Sequence, residues 1–125
     1  MNSKTAVLEY EQDISPTEED ISRLIENKTK GYLDLLIGQG WQPTILYSRN
    51  DCSRLLNLSP QHIIETLIPS GLLGATRSGG HKGKFLFSLQ QIIHYGVRIE
   101  LINNWGLTKQ QAINATKKHE ITGEF

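Results

Sequence analysis

Four basic or potentially basic side chains lie within eight residues of each other: Arg77, His81, Lys82 and Lys84. Residues 78–83, which lie between the outer two, are rich in glycine, and no acidic residue interrupts the group. Such side chains attract phosphate oxygens electrostatically and do no covalent chemistry on them. The pattern predicts a cationic loop that contacts a polyanion. An ordinary solvated turn is the alternative.

The chain lacks the residue patterns of common catalytic and metal sites. Its four histidines have no ligand spacing (His62, His81, His94 and His119), and the single cysteine, Cys52, excludes both an internal disulfide and a cysteine-based metal cluster. No nucleotide-binding loop, zinc-protease or nucleophile-elbow motif is present. Residues 79–83 superficially resemble a phosphate-cradling loop but lack its strand-to-helix setting. We therefore expect no enzyme activity, no cofactor, no small-molecule ligand, and a buried, unreactive cysteine.

Charge is unevenly distributed along the chain. The net charge is zero, from 13 basic and 13 acidic residues. Residues 1–26 contain seven acids and two bases, whereas residues 71–118 contain seven bases and one acid, a balance of +6. This split predicts a carboxyl-terminal part that attracts a polyanion and an acidic amino-terminal arm that contacts other proteins of a nucleoprotein complex. The alternative is a solvated surface with uneven charge.

The length and apolar content limit the class of protein. With 125 residues, 38% of them hydrophobic, we expect one compact unit or two very small ones that share a core. No run approaches the roughly 18 apolar residues of a membrane span, and the amino terminus lacks the pattern of a signal peptide. We expect a cytoplasmic protein without a membrane partner.

Caps, prolines and glycines divide the chain into helices and short strands. Trp41, Phe85, Phe87 and Trp105 are expected in the core. The first predicted elements are a helix capped by Ser15, a turn at Asn27 to Lys30, a second helix ending at Gly38 and Gly40, and a strand within 41–47. Next come a helix capped by Ser48 over 49–57, a helix opened by Ser59-Pro60 and ended by Pro69-Ser70-Gly71, and two strands flanking 78–83. The last two are a helix capped by Ser88 that breaks at Trp105-Gly106 and a helix opened by Thr108 that ends near His119.

Two stretches of the chain share one pattern. Residues 21–41 align without a gap on residues 52–72, and the match resumes at 45–48 against 85–88. The order predicted for each copy is helix, turn, helix, glycine turn and strand, which is the plan of a winged helix-turn-helix. A tandem pair would be the internal equivalent of a DNA-binding dimer. The six identical pairs are Ser22/Ser53, Arg23/Arg54, Leu24/Leu55, Leu36/Leu67, Ile37/Ile68 and Gly40/Gly71.

Residues 47–113 resemble the winged helix-turn-helix of the MerR superfamily and of phage and transposon excisionases. The most telling matches are Ser70-Gly71-Leu72-Leu73 and Trp105-Gly106-Leu107-Thr108. The chain differs in a second helix that is one residue longer and in Ile64, where MerR proteins often have arginine. No coiled-coil helix or effector domain follows, so we do not expect a ligand-sensing activator. The tandem layout is similar to small DNA-binding accessory proteins of Gram-positive conjugative transfer systems.

The resemblance implies a set of DNA contacts. The helix opened by Ser59 would enter a major groove of double-stranded DNA, with Gln61 and His62 nearest the base edges. The alternative for both is a solvated helix start. The resemblance places Arg77, His81, Lys82 and Lys84 of the hairpin on phosphates, and it places Lys28, Thr29 and Lys30 at the corresponding helix start of the first copy.

The sequence therefore predicts an α+β, mostly α fold: a tandem winged helix-turn-helix with a β-hairpin wing in the second copy. The predicted function is sequence-specific binding of double-stranded DNA as an accessory, regulatory or architectural factor of a mobile element, in conjugative transfer, excision or transcription control. The alternative is a protein-interaction module, such as a phage-encoded inhibitor, that reuses the fold without binding DNA. The expected divisions are a polar arm over 1–14, a wing-poor first repeat over 15–47, a second repeat with the carboxyl-terminal helices over 48–119, and a tail over 120–125.

Overall fold

A computed structural model describes residues 17–77 and 84–121, with side chains as far as residue 119. This part of the chain is mostly helical and includes a small two-stranded antiparallel sheet, which agrees with the predicted α+β, mostly α class. The elements are α1 (Glu18–Gly38), α2 (Arg49–Leu56), α3 (Pro60–His62), a π-helical turn (Ile63–Leu67), α4 (Ile68–Ser70), β1 (Thr76–Arg77), β2 (Phe85–Leu86), α5 (Leu89–Trp105) and α6 (Lys109–Ile121).

Helix α3, the π-helical turn and α4 follow one another without a break in helical backbone geometry, and we call them together the 60–70 helix. Several predictions concern residues outside the described ranges. These are the polar arm over 1–14, the Ser15 cap with Pro16, the hairpin tip over 78–83 with His81 and Lys82, and residues 122–125 of the tail.

Helix α5 contributes to two groups of buried apolar side chains. Its residues Leu89, Ile93, Val97 and Leu101 pack with α1 and α6 through Ile25, Leu36 and Ala112. Its residue Ile92 packs with α2, the 60–70 helix and the sheet through Cys52, Ile63, Leu67, Leu73 and Phe87. Helix α5 is thus the element that supports both the 60–70 helix and α1.

The turn predicted at Asn27 to Lys30 is wrong. Helix α1 runs unbroken from Glu18 to Gly38, so this part of the first predicted repeat is one helix and not two. Apolar or partly buried side chains recur at helical spacing across the whole of α1, at Ile21, Ile25, Thr29, Tyr32 and Leu36. Because this stripe stays in phase, a single helix packs it against α5 and α6, with Ile25 and Leu36 buried and Ile21 and Tyr32 partly buried.

The second stretch contains helix breakers that the first lacks. Asn57 adopts a left-handed conformation, with φ of 57° and ψ of 44°, and ends α2. Ser59 and Pro60 then open the next helix. The alignment places Glu26, Lys28 and Thr29 at these three positions, and none of them stops a helix. The six identities of the repeat fall outside this decisive turn.

The helix starts follow from local sequence, with one correction. Ser48, Ser59 and Ser88 cap α2, α3 and α5 as predicted, and Thr108 forms the predicted reciprocal pair of hydrogen bonds with Gln111. Helix α1 begins at Glu18 with Thr17 as its cap, two residues after the predicted cap position. The Thr17 Oγ1 accepts from the Asp20 amide at 3.0 Å, and the Asp20 carboxylate accepts from the Thr17 amide at 3.3 Å. Helix α6 ends at Ile121, two residues beyond the predicted end.

The sheet is smaller than predicted on one side. Strands β1 and β2 pair antiparallel with Thr76 opposite Leu86 and Arg77 opposite Phe85, which confirms the base of the hairpin. The strand predicted within 41–47 is reduced to one bridge, in which the Tyr47 and Phe87 backbones exchange hydrogen bonds of 2.7 and 2.8 Å. The backbone amide of Gln42 donates to the Tyr47 hydroxyl, at 2.7 Å, and not to a neighbouring strand.

Candidate nucleic-acid interface

The 60–70 helix is apolar on one side and polar on the other. Ile63 and Leu67 are buried in the core beneath it. The outward face consists of exposed side chains one to four residues apart: Gln61, His62, Glu65, Thr66 and Pro69. The buried pair holds the helix in place, and the outward side chains are available to a partner.

A short connection sets the angle between α2 and the 60–70 helix. The amide of Leu58 donates to the Ser53 carbonyl at 3.1 Å, and the Ser53 hydroxyl donates to the Leu58 carbonyl. The Ser59 Oγ accepts from the His62 amide at 3.1 Å. The predicted role of Ser59 as a helix cap is therefore confirmed, and its cap holds Gln61 and His62 in the first exposed turn.

The 60–70 helix is wider than an α-helix over Ile63–Leu67. In the π-helical turn the amide of Ile68 donates to the carbonyl of Ile63, five residues earlier, where an α-helix would use four. The helix ends at Gly71, whose φ is 86°, and a Cβ there would lie 3.4 Å from Ile113 Cδ1. Both the backbone conformation and the contact with α6 favour glycine at this position.

Arg98 fastens the end of this helix to the core. Its side chain is almost fully buried, at 3% exposure. Nη1 donates to the Leu72 carbonyl at 2.9 Å and lies 3.5 Å from the Gly71 carbonyl, while Nε donates to Thr116 Oγ1 at 2.6 Å. Arg98 is one of the seven bases of residues 71–118 that were predicted to attract a polyanion, and its internal role was not predicted. A basic residue within the apolar stripe of α5 was the available signal.

Basic side chains line a groove that borders the 60–70 helix at Ile64. The groove of about 370 Å³ lies between the start of α2, this helix and β2, and it is lined in part by Arg49, Asn50, Ile64 and Lys84. The side chains of Arg49 and Lys84 are exposed. Sequence reasoning found Lys84 but missed Arg49 and Asn50, because only the folded chain brings the start of α2 beside the hairpin.

Arg77 lies on β1, opposite Phe85 of β2, and Phe85 follows Lys84 directly in the chain. Its guanidinium carbon lies 4.3 Å from the centroid of the Phe85 ring, in the arrangement of a cation–π contact. The ring holds the guanidinium group of this exposed side chain over the sheet. Of the four predicted hairpin cations, Arg77 and Lys84 are therefore described at the base, and His81 and Lys82 lie outside the described residues.

The placement predicted for Lys28, Thr29 and Lys30 at a helix start is wrong. All three lie inside α1. The Lys28 ammonium is 3.3 Å from the Glu100 carboxylate on α5, and the Thr29 hydroxyl oxygen is buried. Lys30 is exposed on the helix surface. The geometric reason for assigning DNA contacts to these residues is therefore lost.

Cys52 does not present a reactive thiol, and the described residues contain no cluster of metal ligands. Cys52 is fully buried, and burial raises the pKa of its thiol from the ordinary value of 9.0 to about 12, so the thiol stays protonated at neutral pH. Within residues 17–77 and 84–119, no three His, Cys, Asp or Glu side chains converge as metal ligands.

Comparison with known proteins found no protein-family model, curated protein or solved structure that matches the chain. In the part of the chain that the structure describes, no helix has the length and apolar character needed to cross a membrane. The resemblance to MerR and excisionase domains thus stays a prediction from the sequence.

Proposed function

We propose that this protein binds double-stranded DNA sequence-specifically through the outward face of the 60–70 helix. The observation that carries the proposal is the pairing of a buried side, Ile63 and Leu67, with an outward polar side that begins at Gln61 and His62. An α-helix fits the width of the major groove, and glutamine pairs bidentately with adenine there. Gln61 and His62 are the proposed base contacts.

The cations beside the helix supply the affinity in this proposal. Arg49 and Lys84 are exposed and line the groove that borders the 60–70 helix, and Arg77 is exposed on β1. Contacts to phosphates position a protein on the duplex and make its affinity depend on salt. We assign these three residues to the backbone and the two residues at the helix start to the bases.

One chain presents one such helix in this proposal. The tandem arrangement is not retained, because α1 is a single helix where two were predicted. We therefore propose one winged helix-turn-helix unit, over residues 48–113, with α1 as a supporting helix. Occupancy of two half-sites would then require two chains, with reading helices roughly 34 Å apart along the duplex.

The biological role rests on the sequence resemblance alone. Excisionases and conjugative accessory proteins position DNA for other proteins, and a factor of that kind needs a reading helix but no catalytic residue. We propose an accessory, regulatory or architectural role in a mobile element. A footprint on the DNA that flanks the gene for this protein would identify the regulated region.

A titration at two salt concentrations tests the proposed function. Fluorescence anisotropy with a labelled duplex should show binding at 50 mM salt that weakens about 40-fold at 200 mM, if three phosphates are contacted. Reversal of charge at Arg49 and Lys84 should weaken binding to every duplex and flatten its salt dependence. Absence of salt-dependent binding by the wild-type protein would reject the proposal.

A protein-interaction module is the second candidate. Four large apolar side chains within residues 35–46 are exposed: Leu35, Ile37, Ile45 and Leu46. Leu35 has the largest exposed fraction, at 57%. Exposed apolar side chains close together in the chain suit a protein contact. This candidate predicts no salt-dependent DNA binding in the same titration, and loss of partner binding when Leu35 and Leu46 are changed to serine.

A further inference from the structure

A carboxylate lies on the face that we propose to read DNA. Glu65 is exposed on the 60–70 helix, one turn beyond Gln61. The Gln61 amide nitrogen Nε2 lies 3.3 Å from each carboxylate oxygen of Glu65 and donates to them. The two side chains therefore form a pair at the centre of the outward face.

An acidic side chain in this position is unfavourable for non-specific DNA binding. Like charges repel, so a carboxylate that faces phosphates lowers affinity for every duplex. It contributes favourably only where a hydrogen-bond donor of a base edge reaches it. In the major groove those donors are the N4 amino group of cytosine and the N6 amino group of adenine, whereas guanine and thymine present acceptors.

The contact with Glu65 also orients Gln61. One N–H of the Gln61 amide is directed at the carboxylate, which leaves the other N–H and the amide oxygen for a base. A donor beside an acceptor matches the N7 and N6 edge of adenine. Glu65 lies within the π-helical turn, and turns of this kind are frequent at functional sites.

We propose that Glu65 is a specificity-determining residue that accepts a hydrogen bond from cytosine N4, next to an adenine read by Gln61. This inference rests on the proposed function. The inference goes further than the proposed function because it names bases of the target. These are a cytosine and an adjacent adenine, each of which presents an amino group to the major groove. Glu65 also disfavours sequences on which no base amino group donates to its carboxylate, because its charge then only repels the phosphates.

Glu65→Gln tests the proposal, since it removes the charge and keeps the size of the side chain. The wild-type protein, Glu65→Gln and the control Glu19→Gln are each used to select duplexes from a randomised pool. Each protein is then titrated with the wild-type selected duplex and with a shuffled duplex. Glu19 is an exposed acid on α1, so its variant removes the same charge away from the reading face.

We expect Glu65→Gln to bind the shuffled duplex more tightly than wild type does and to lose about tenfold in discrimination between the two duplexes. The cytosine preference at one position should disappear from its selected pool, while the Glu19→Gln pool stays like wild type. Circular dichroism of each variant checks that the fold is kept, and Glu65→Ala should lose the same preference.

The inference is overturned if Glu65→Gln selects the same bases as wild type, or changes affinity equally on both duplexes. In that outcome the wild-type protein still discriminates, so the proposed function survives. If the wild-type protein binds no duplex in a salt-dependent way, the proposed function fails and this inference fails with it.

Discussion

Arg98 donates a hydrogen bond from Nη1 to the carbonyl oxygen of Leu72 over 2.9 Å, and this contact joins the chain just beyond the 60–70 helix to α5. The same guanidinium reaches Thr116 on α6. A single buried side chain thus links three segments of the fold. The proposed reading helix is held at its start by Ser59 and at its end by Arg98.

Replacement of Arg98 by methionine should lower the free energy of unfolding by about 3 kcal/mol, because the Leu72 carbonyl loses a charged donor inside the protein. Urea denaturation measures the change. The matched control is Arg54→Met, since Arg54 is exposed on α2, and a change below about 0.5 kcal/mol is expected there. An equal loss in both variants would contradict the anchoring role of Arg98.

Asn57 should tolerate glycine but not alanine. Its φ of 57° lies in the left-handed region, which costs about 1 kcal/mol or more for a residue with an ordinary side chain. Asn57→Ala should therefore lower the midpoint of thermal unfolding, and Asn57→Gly should leave it nearly unchanged. If both variants unfold alike, the left-handed turn before the 60–70 helix is not what limits stability at this position.

Charge reversal distinguishes the single-unit proposal from the tandem prediction. Lys84→Glu should weaken binding to all duplexes, because it places a negative charge beside the groove that borders the reading helix. Lys30→Glu reverses the same charge on α1 and should have little effect. Comparable losses in the two anisotropy titrations would restore a DNA-binding role for the first segment.

Gln61→Ala should reduce sequence preference more than overall affinity, because the amide reads a base edge while the cations hold the phosphates. The measurement is the ratio of dissociation constants for a selected and a random duplex. We expect that ratio to fall about tenfold. Equal weakening on the two duplexes would reject a base-reading role for Gln61.

The buried thiol of Cys52 should make stability fall in alkaline solution. The unfolded thiol loses its proton above its ordinary pKa of 9.0, while the folded thiol keeps its proton up to about pH 12. The stabilising contribution is therefore complete below pH 9 and is lost between pH 9 and 12, at up to about 1.4 kcal/mol per pH unit.

Denaturation of the wild-type protein and of Cys52→Ala at several pH values between 8 and 11 isolates this contribution. The variant starts from a lower stability, because it leaves a small cavity, but its decline above pH 9 should be shallower. Parallel declines would show that groups other than Cys52 cause the alkaline loss.

Local chemistry explains why much of the helical framework was predictable. Ser48, Ser59, Ser88 and Thr108 each accept a hydrogen bond from an amide three residues later, so their effect depends on neighbours in the sequence. The glycine stops are equally local. Gly71 and Gly106 have φ of 86° and 76°, a region that other residues rarely adopt.

The predicted turn within α1 was wrong because the sequence similarity of the two stretches does not extend to the residues that form the turn. The aligned pairs, such as Leu24 with Leu55 and Leu36 with Leu67, are apolar residues that a helix buries in either arrangement. The difference lies at Asn57, Ser59 and Pro60, which interrupt the helix in the second stretch. The aligned residues of the first stretch do not interrupt a helix. A repeat of core residues does not establish a repeat of the fold when the turn residues differ.

The sequence by itself determined where most helices begin and end, that a short hairpin follows the 60–70 helix, and that Gln61 and His62 lie in an exposed first turn. These features depend on hydrogen bonds and backbone preferences within a few residues. Only the tertiary structure decided that Arg98 is an internal anchor, that Lys28 pairs with Glu100, and that Arg49 lies beside Lys84. Those relationships join residues far apart in the chain, so only the folded protein shows them.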